Sequence, residues 1–308
     1  MAAQRSQLID LKALFSLVIG AIAGCNPLCE NCQADDAEVR THCDAEVGLL
    51  YPIDQPGAWW QHRLCDIEAS QARCSDKLVD IRQGPQPLPG RAQVQAVPVV
   101  SDKDSGYVIR WQEVTADGEI RRHLDETYNG LGERSVVTWY CPHELRLPAD
   151  EAACKASHWV DEVVNLKISS VDTPLEDCER AVDADTCTVI DPLPGCTFDR
   201  QEVARAWRIE DDNASLTLPG WGSFDNVVVY SIEESSGGEA YRSTFWWARG
   251  VGKLLERDGQ ENTLEILVDG CLPGSEDCTG RGVPSEADLV AACDSDTLCD
   301  TFMIATLD

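Results

Sequence analysis

Apolar and polar residues alternate with a period of two from about Ala92 to Val268. That period places successive side chains on opposite faces of a pleated strand. It predicts strands over Gly106–Val114, Arg134–Tyr140, Val160–Val171, Ala204–Ile209, Val227–Ile232, Tyr241–Trp247 and Thr263–Val268. Turn signals at Asp117-Gly118, Asn129-Gly130, Ser236-Gly237-Gly238 and Asp258-Gly259 separate them. No long helical pattern is interleaved, which argues against an alternating α/β sheet. The expected fold is mainly β: a curved antiparallel sheet, as a half-barrel or a sandwich, in a domain spanning residues 91–269.

The flanks follow other patterns. Residues 25–90 are rich in cysteine and turn residues, with a short amphipathic helix expected around Trp59 to Lys77. Gly84-Pro85-Gln86-Pro87-Leu88-Pro89-Gly90 has the composition of a linker, because its prolines and glycines oppose helix and central strand alike. Residues 270–308 form a second cysteine-rich segment. There Ser285-Glu286-Ala287-Asp288 resembles a helix N-cap with an acidic first turn.

The N-terminus carries the most specific short motif. Arg5 and Lys12 precede the apolar run Ala13 to Ala23, whose length suits a signal-peptide core and not a membrane-spanning helix. The segment Ile22-Ala23-Gly24-Cys25 resembles a bacterial lipobox. That resemblance implies that residues 1–24 are a removed signal peptide and that Cys25 is the lipid-attachment site. Acylation there, as palmitate and related chains, makes a multiply acylated anchor, which holds a membrane far better than a single chain. A rival reading is the C-x3-C-x2-C spacing of Cys25, Cys29 and Cys32, which could hold an iron–sulfur cluster. The sequence after Cys32 lacks the alternating strands and helices that radical-SAM chemistry needs, so a structural disulfide is favoured for the Cys29–Cys32 pair.

Cysteine parity supports the anchor. Of 15 cysteines, setting Cys25 aside leaves 14, which can pair as seven bridges. Such a count fits an oxidising periplasm or cell surface and not a reducing cytosol. Five lie in the N-terminal segment (Cys29, Cys32, Cys43, Cys65, Cys74) and five in the β region (Cys141, Cys154, Cys178, Cys187, Cys196). Four more lie in the tail (Cys271, Cys278, Cys293, Cys299). Five is odd, so if all pair, at least one bridge leaves the N-terminal segment.

The formal net charge is −29, with 54 acids against 25 basic residues, of which six are Lys and 19 Arg. A chain this acidic lacks the basic footprint that phosphate backbones require, which excludes nucleic acid as a partner. It reads as a hydrated acidic surface on an extracytoplasmic protein. The acids are scattered, not arrayed in calcium loops.

Residues 204–267 hold the most distinctive text: Pro219-Gly220-Trp221-Gly222-Ser223-Phe224-Asp225-Asn226, then Tyr241-Arg242-Ser243-Thr244-Phe245-Trp246-Trp247-Ala248-Arg249-Gly250-Val251-Gly252. This is similar to a theme of bacterial envelope lipoproteins, "P-x-G-x-F-x-N" followed by "Y-W-F-A-x-G-V-G". The resemblance implies a curved antiparallel sheet akin to the half-barrel of lipoprotein carriers, and no known activity. Trp221, Trp246 and Trp247 are the candidate lining of an apolar ligand groove, weighed against simple packing.

Catalytic motifs do not appear. The five His include no H-E-x-x-H pair, and neither a G-x-S-x-G elbow nor a phosphate-binding loop occurs. No catalytic residue, metal ligand or cofactor is assigned. The expectation is a non-catalytic, lipid-anchored envelope protein, most simply at the outer membrane, that binds an apolar ligand or a protein partner or serves a structural role. The alternative is an extracytoplasmic hydrolase with carboxylates in a β cleft.

Overall fold

The computed structural model describes residues 51–66, 74–116, 118–148, 158–218, 221–236, 239–259 and 263–272. Cys25 and its apolar leader, Cys29, Cys32, Cys43, Cys154 and the helix start at Ser285 lie outside the described residues. The described chain begins with β1 (Trp59–Asp66), β2 (Cys74–Ile81), β3 (Gln86–Leu88), β4 (Arg91–Lys103), β5 (Gly106–Val114) and β6 (Ile120–Asn129). It continues through β7 (Arg134–Leu147), β8 (His158–Ser170), the short helix α1 (Leu175–Arg180), β9 (Val182–Asp183) and β10 (Thr188–Val189). Then follow β11 (Cys196–Leu218), β12 (Gly222–Ser236), β13 (Glu239–Ala248), β14 (Gly252–Asp258) and β15 (Thr263–Cys271).

These strands make one antiparallel sheet that closes on itself. Neighbours run β2-β1-β15-β14-β13-β12-β11-β8-β7-β6-β5-β4, and β4 pairs back to β2 from Lys77↔Lys103 to Ile81↔Val99. The result is a barrel of twelve strands. An even number is what an all-antiparallel closure requires. Short β3 adds to β4 outside the ring, and β9 and β10 form a separate ribbon.

The expected mainly-β, curved antiparallel sheet is present, in closed form. Closure comes from residues expected to be something else. The segment expected as a helix around Trp59 to Lys77 is part of the β1–β2 hairpin, with Cys65 opposite Cys74 and a disulfide between them. Burial along β2 alternates at its end, with Lys77, Val79 and Ile81 inside and Leu78 and Asp80 less buried or exposed. A lysine at an inward position hides that period in the text. The expected linker contributes β3 on the outer edge of β4, where Pro87 costs no ladder bond in a central strand.

The excursion between β8 and β11 is stapled twice, by Cys141–Cys187 and Cys178–Cys196. The four β-region cysteines that are described therefore pair among themselves. Cys154, the fifth, lies outside the described residues, as does the partner of disulfide-bonded Cys271.

Two apolar clusters hold the barrel. The larger gathers Trp60, Trp207, Tyr230, Phe245, Trp246 and Leu254 with residues of β2 and β15. The smaller gathers Leu88, Trp111, Leu124, Trp139, Leu166 and Ile168 with Cys178 and Cys187. At the β4–β5 hairpin the backbone leaves no room for a side chain. Gly106 has φ +138°, and a Cβ there would lie 2.2 Å from the Tyr128 carbonyl oxygen. Gly106→Ala is expected to cost roughly 1–3 kcal/mol, read as a lower urea midpoint at an unchanged slope. An unchanged midpoint would show that the hairpin adapts freely.

Candidate functional site

Eight strands leave a barrel interior that side chains just fill, so twelve leave space. Here the interior holds a cavity of about 230 Å³, lined by residues of β1, β2, β4, β5, β6, β7, β13, β14 and β15. Three β-bulges fall beside lining residues His62, Gln112 and Trp247. Bulges re-aim side chains, and they gather at functional rims in other proteins.

The lining is charged. On one side the Glu265 carboxylate accepts two hydrogen bonds from the Lys77 ammonium, each 2.8 Å, and lies 2.8 Å from Lys253 Nζ. Lys253 also donates to Glu256, and His62 Nδ1 sits 3.7 Å from Glu265. Burial alone would raise the Glu265 pKa, but the Lys253 and Lys77 charges outweigh it and hold the carboxyl well below the usual range. Burial likewise lowers Lys253, and Glu256 and Glu265 more than reverse it. Lys77 is different. Burial, with Lys253 and Arg110 adding to it, outweighs Glu265 and pushes its amine down to about 7. Burial also pushes His62 down to about 4, so it is neutral at physiological pH.

Across the lumen lies an arginine cluster. Arg122 donates to Asp125 at 2.9 Å and to Glu144 at 2.7 Å. Glu144 also meets Arg146 at 3.0 Å and Arg205 at 3.2 Å. The pairing follows from register, since Arg122 stands opposite Glu144 on β7 and opposite Gln112 on β5. Charges buried this deeply persist only when paired.

Lys77 is the group here poised to exchange a proton near neutral pH. Its Cε resonance is expected to titrate near pH 7, far below an ordinary lysine, and Lys253→Met is expected to raise that midpoint by removing a repelling neighbour. A Cε titration at the model-peptide position would refute the burial argument.

The tryptophans expected to form a groove all belong to or pack against the larger apolar cluster, and of the three Trp247 lines the cavity. Its ring lies 5.3 Å from Tyr51. Trp246 takes the opposite face of β13, between Val229 and Leu255, and is buried. Trp221 sits at the β11–β12 turn, 5.9 Å from Phe224, packed against the larger core. The lumen residues Lys77, Arg110, Arg122, Lys253 and Glu265 carry no motif. One available signal is scarcity: Lys77, Lys103 and Lys253 are three of only six lysines in the chain, and all three line the cavity. Among the described residues no three His, Cys, Asp or Glu side chains come together as a metal-binding group.

Fold and site together define a closed antiparallel barrel with a charged lumen. No family model matches the chain, and no curated protein matches it. Two solved structures are similar over 73% of this chain and all of their own. One is a Bacteroides fragilis protein inferred to be exported, with a YmcC-like fold, at 10% identity and TM-score 0.36. The other is a Parabacteroides distasonis protein inferred to be a lipoprotein, at 13% identity and TM-score 0.29.

Proposed function

We propose that this is a non-catalytic, lipid-anchored protein of the bacterial cell envelope, held at the outer membrane through Cys25, whose barrel carries a small ligand in its lumen. The observation that carries the binding role is the cavity of about 230 Å³ enclosed by a closed barrel. Concave sites in barrel mouths are where small ligands bind. Its carboxylates Glu256 and Glu265 are tied into ion pairs with lysines, which suits holding a ligand more than donating protons to one. The exposed large apolar side chains among the described residues, Leu78, Leu131, Val160, Val171 and Ile190, are scattered over separate strands and loops. A barrel inserted in lipid would need a continuous apolar belt, so an anchor is the simpler membrane link.

Two measurements test this. Metabolic labelling with radioactive palmitate is expected to mark the wild type and not Cys25→Ser; label retained in that variant overturns the anchor. A low-molecular-mass extract of the envelope is expected to raise the Tm of the wild type and not that of Leu64→Trp, whose indole fills the cavity. Equal shifts in both would place binding elsewhere.

A further inference from the structure

We infer that the lumen is an anion site: it takes a small molecule bearing a carboxylate or phosphate group, held by Arg110 with Lys103 at the mouth and Lys77 beside them. This rests on reading the lumen as a ligand cavity and names the chemistry it selects.

The charge of the lining runs against the chain. Acids outnumber bases 54 to 25 overall, yet the cavity lining has six Lys or Arg and three carboxylates. A surface drawn at random from this composition would be acidic. The protein has concentrated its few cations on an inward face.

Several of those cations are already matched. Arg122 and Arg146 grip Asp125 and Glu144 behind the wall, and Lys253 joins Glu256 to Glu265. Lys77 is held by Glu265. The last two are matched less closely. Arg110 forms only a long ion pair with Asp125, at 3.8 Å and beyond hydrogen-bond reach. The Lys103 side chain, exposed at the β4–β5 hairpin, makes no ion pair or hydrogen bond among the described residues.

Register sharpens the point. Lys77 and Lys103 stand directly opposite each other on the β2–β4 seam that closes the barrel. Like charges directly opposite across a ladder are destabilising. The lumen solves this problem once already: Glu256 and Glu265 are also directly opposite, and the Lys253 ammonium bonds to both. No carboxylate bridges Lys77 and Lys103 in the same way among the described residues. A ligand oxyanion there would supply the missing bridge. In the lining the donor Arg122 Nε is buried without a hydrogen-bond partner, and so is the acceptor Gln112 Oε1. The Lys77 amine is lowered chiefly by burial, against the pull of Glu265, with Lys253 and Arg110 adding to the lowering.

The cavity volume limits the ligand. At about 30 Å³ per water, 230 Å³ has room for roughly seven waters' worth of ligand, the size of a small organic acid or phosphate.

The test is calorimetric titration of the full mature chain with inorganic phosphate and, separately, with citrate. It is run at about 10 mM ionic strength, where screening is weak. One anion per chain is expected to bind. Arg110→Ala should weaken binding roughly 10-fold or more, the size expected for losing a charge-assisted bond. Lys103→Ala, at an exposed site and so folded by circular dichroism, should weaken it several-fold. Lys167→Ala, exposed on β8 and outside the cavity, should leave it unchanged. The inference is overturned if neither anion binds, if binding survives Arg110→Ala and Lys103→Ala, if Lys167→Ala weakens it equally, or if Leu64→Trp still binds. Should both anions fail while envelope extract still stabilises the wild type and not Leu64→Trp, the lumen takes a ligand of other chemistry. Only the anion assignment then falls, and the binding role stands.

Discussion

Replacing Glu144 by Gln is expected to lower the stability of the barrel by roughly 3–5 kcal/mol, the penalty for removing one partner from a buried charge cluster. Glu144 is 1% exposed and meets Arg122, Arg205 and Arg146. The amide keeps the shape and loses the charge, so three guanidinium groups on three strands face one another with Asp125 and Glu234 as the remaining carboxylates. Urea unfolding of the two proteins measures the difference. A loss under about 1 kcal/mol would place the cluster among solvated surface pairs instead.

The same residue sets part of the acid limit. Burial would raise the Glu144 pKa, but Arg122, Arg205 and Arg146 outweigh it and hold the carboxyl well below the usual range. A folded pKa below the unfolded one means that the unfolded chain binds the proton more readily. The stabilisation is complete above the unfolded carboxylate pKa and is lost as pH falls towards the folded one. Glu265 acts in the same direction. Stability is therefore expected to fall steeply below about pH 4 in the wild type, and less steeply in Glu144→Gln. Parallel acid profiles would show that the linkage lies elsewhere.

Trp60→Ala is the second large effect, at roughly 3–5 kcal/mol for a fully buried indole. Trp60 is 1% exposed. Its Nε1 donates to the Val251 carbonyl at 2.5 Å, and its ring lies 5.0 Å from that of Tyr51. It thus ties β1 to the β13–β14 turn. Gly252 leaves the space the ring uses, since a Cβ there would come within 3.3 Å of Nε1. Trp60→Phe keeps most of the apolar volume and loses the hydrogen bond, so it is expected to cost less. Equal losses in the two variants would assign the whole effect to that bond.

Much of the sheet was legible because hydrophobic burial imposes a period of two wherever a strand has one wetter face. The seven predicted strands all fall on observed ones, and the turns at Asn129-Gly130 and Asp258-Gly259 separate the strands expected. The β1–β2 hairpin was missed for a physical reason. Its inward positions include His62 and Lys77, which break the alternation that a dry interior would have produced. The site was missed for the same reason. Polar residues alternating with apolar ones read as facing water, and a charged lumen writes the same text with the faces reversed. Trp247 was the part of the expected groove that does line the cavity, because an aromatic strand with both faces occupied leaves one face inside.

By itself the sequence determined the β class, most strand positions, the turns and the acidic balance, because these follow from local backbone preference and from summed charge. Tertiary structure decided that the sheet closes through β2 and β4, and that cations scattered from Lys77 to Lys253 converge on one cavity. Ladder hydrogen bonds join backbone groups that every residue carries, so the seam leaves no mark on residue identity. Convergence of distant charges is set only when that seam is made.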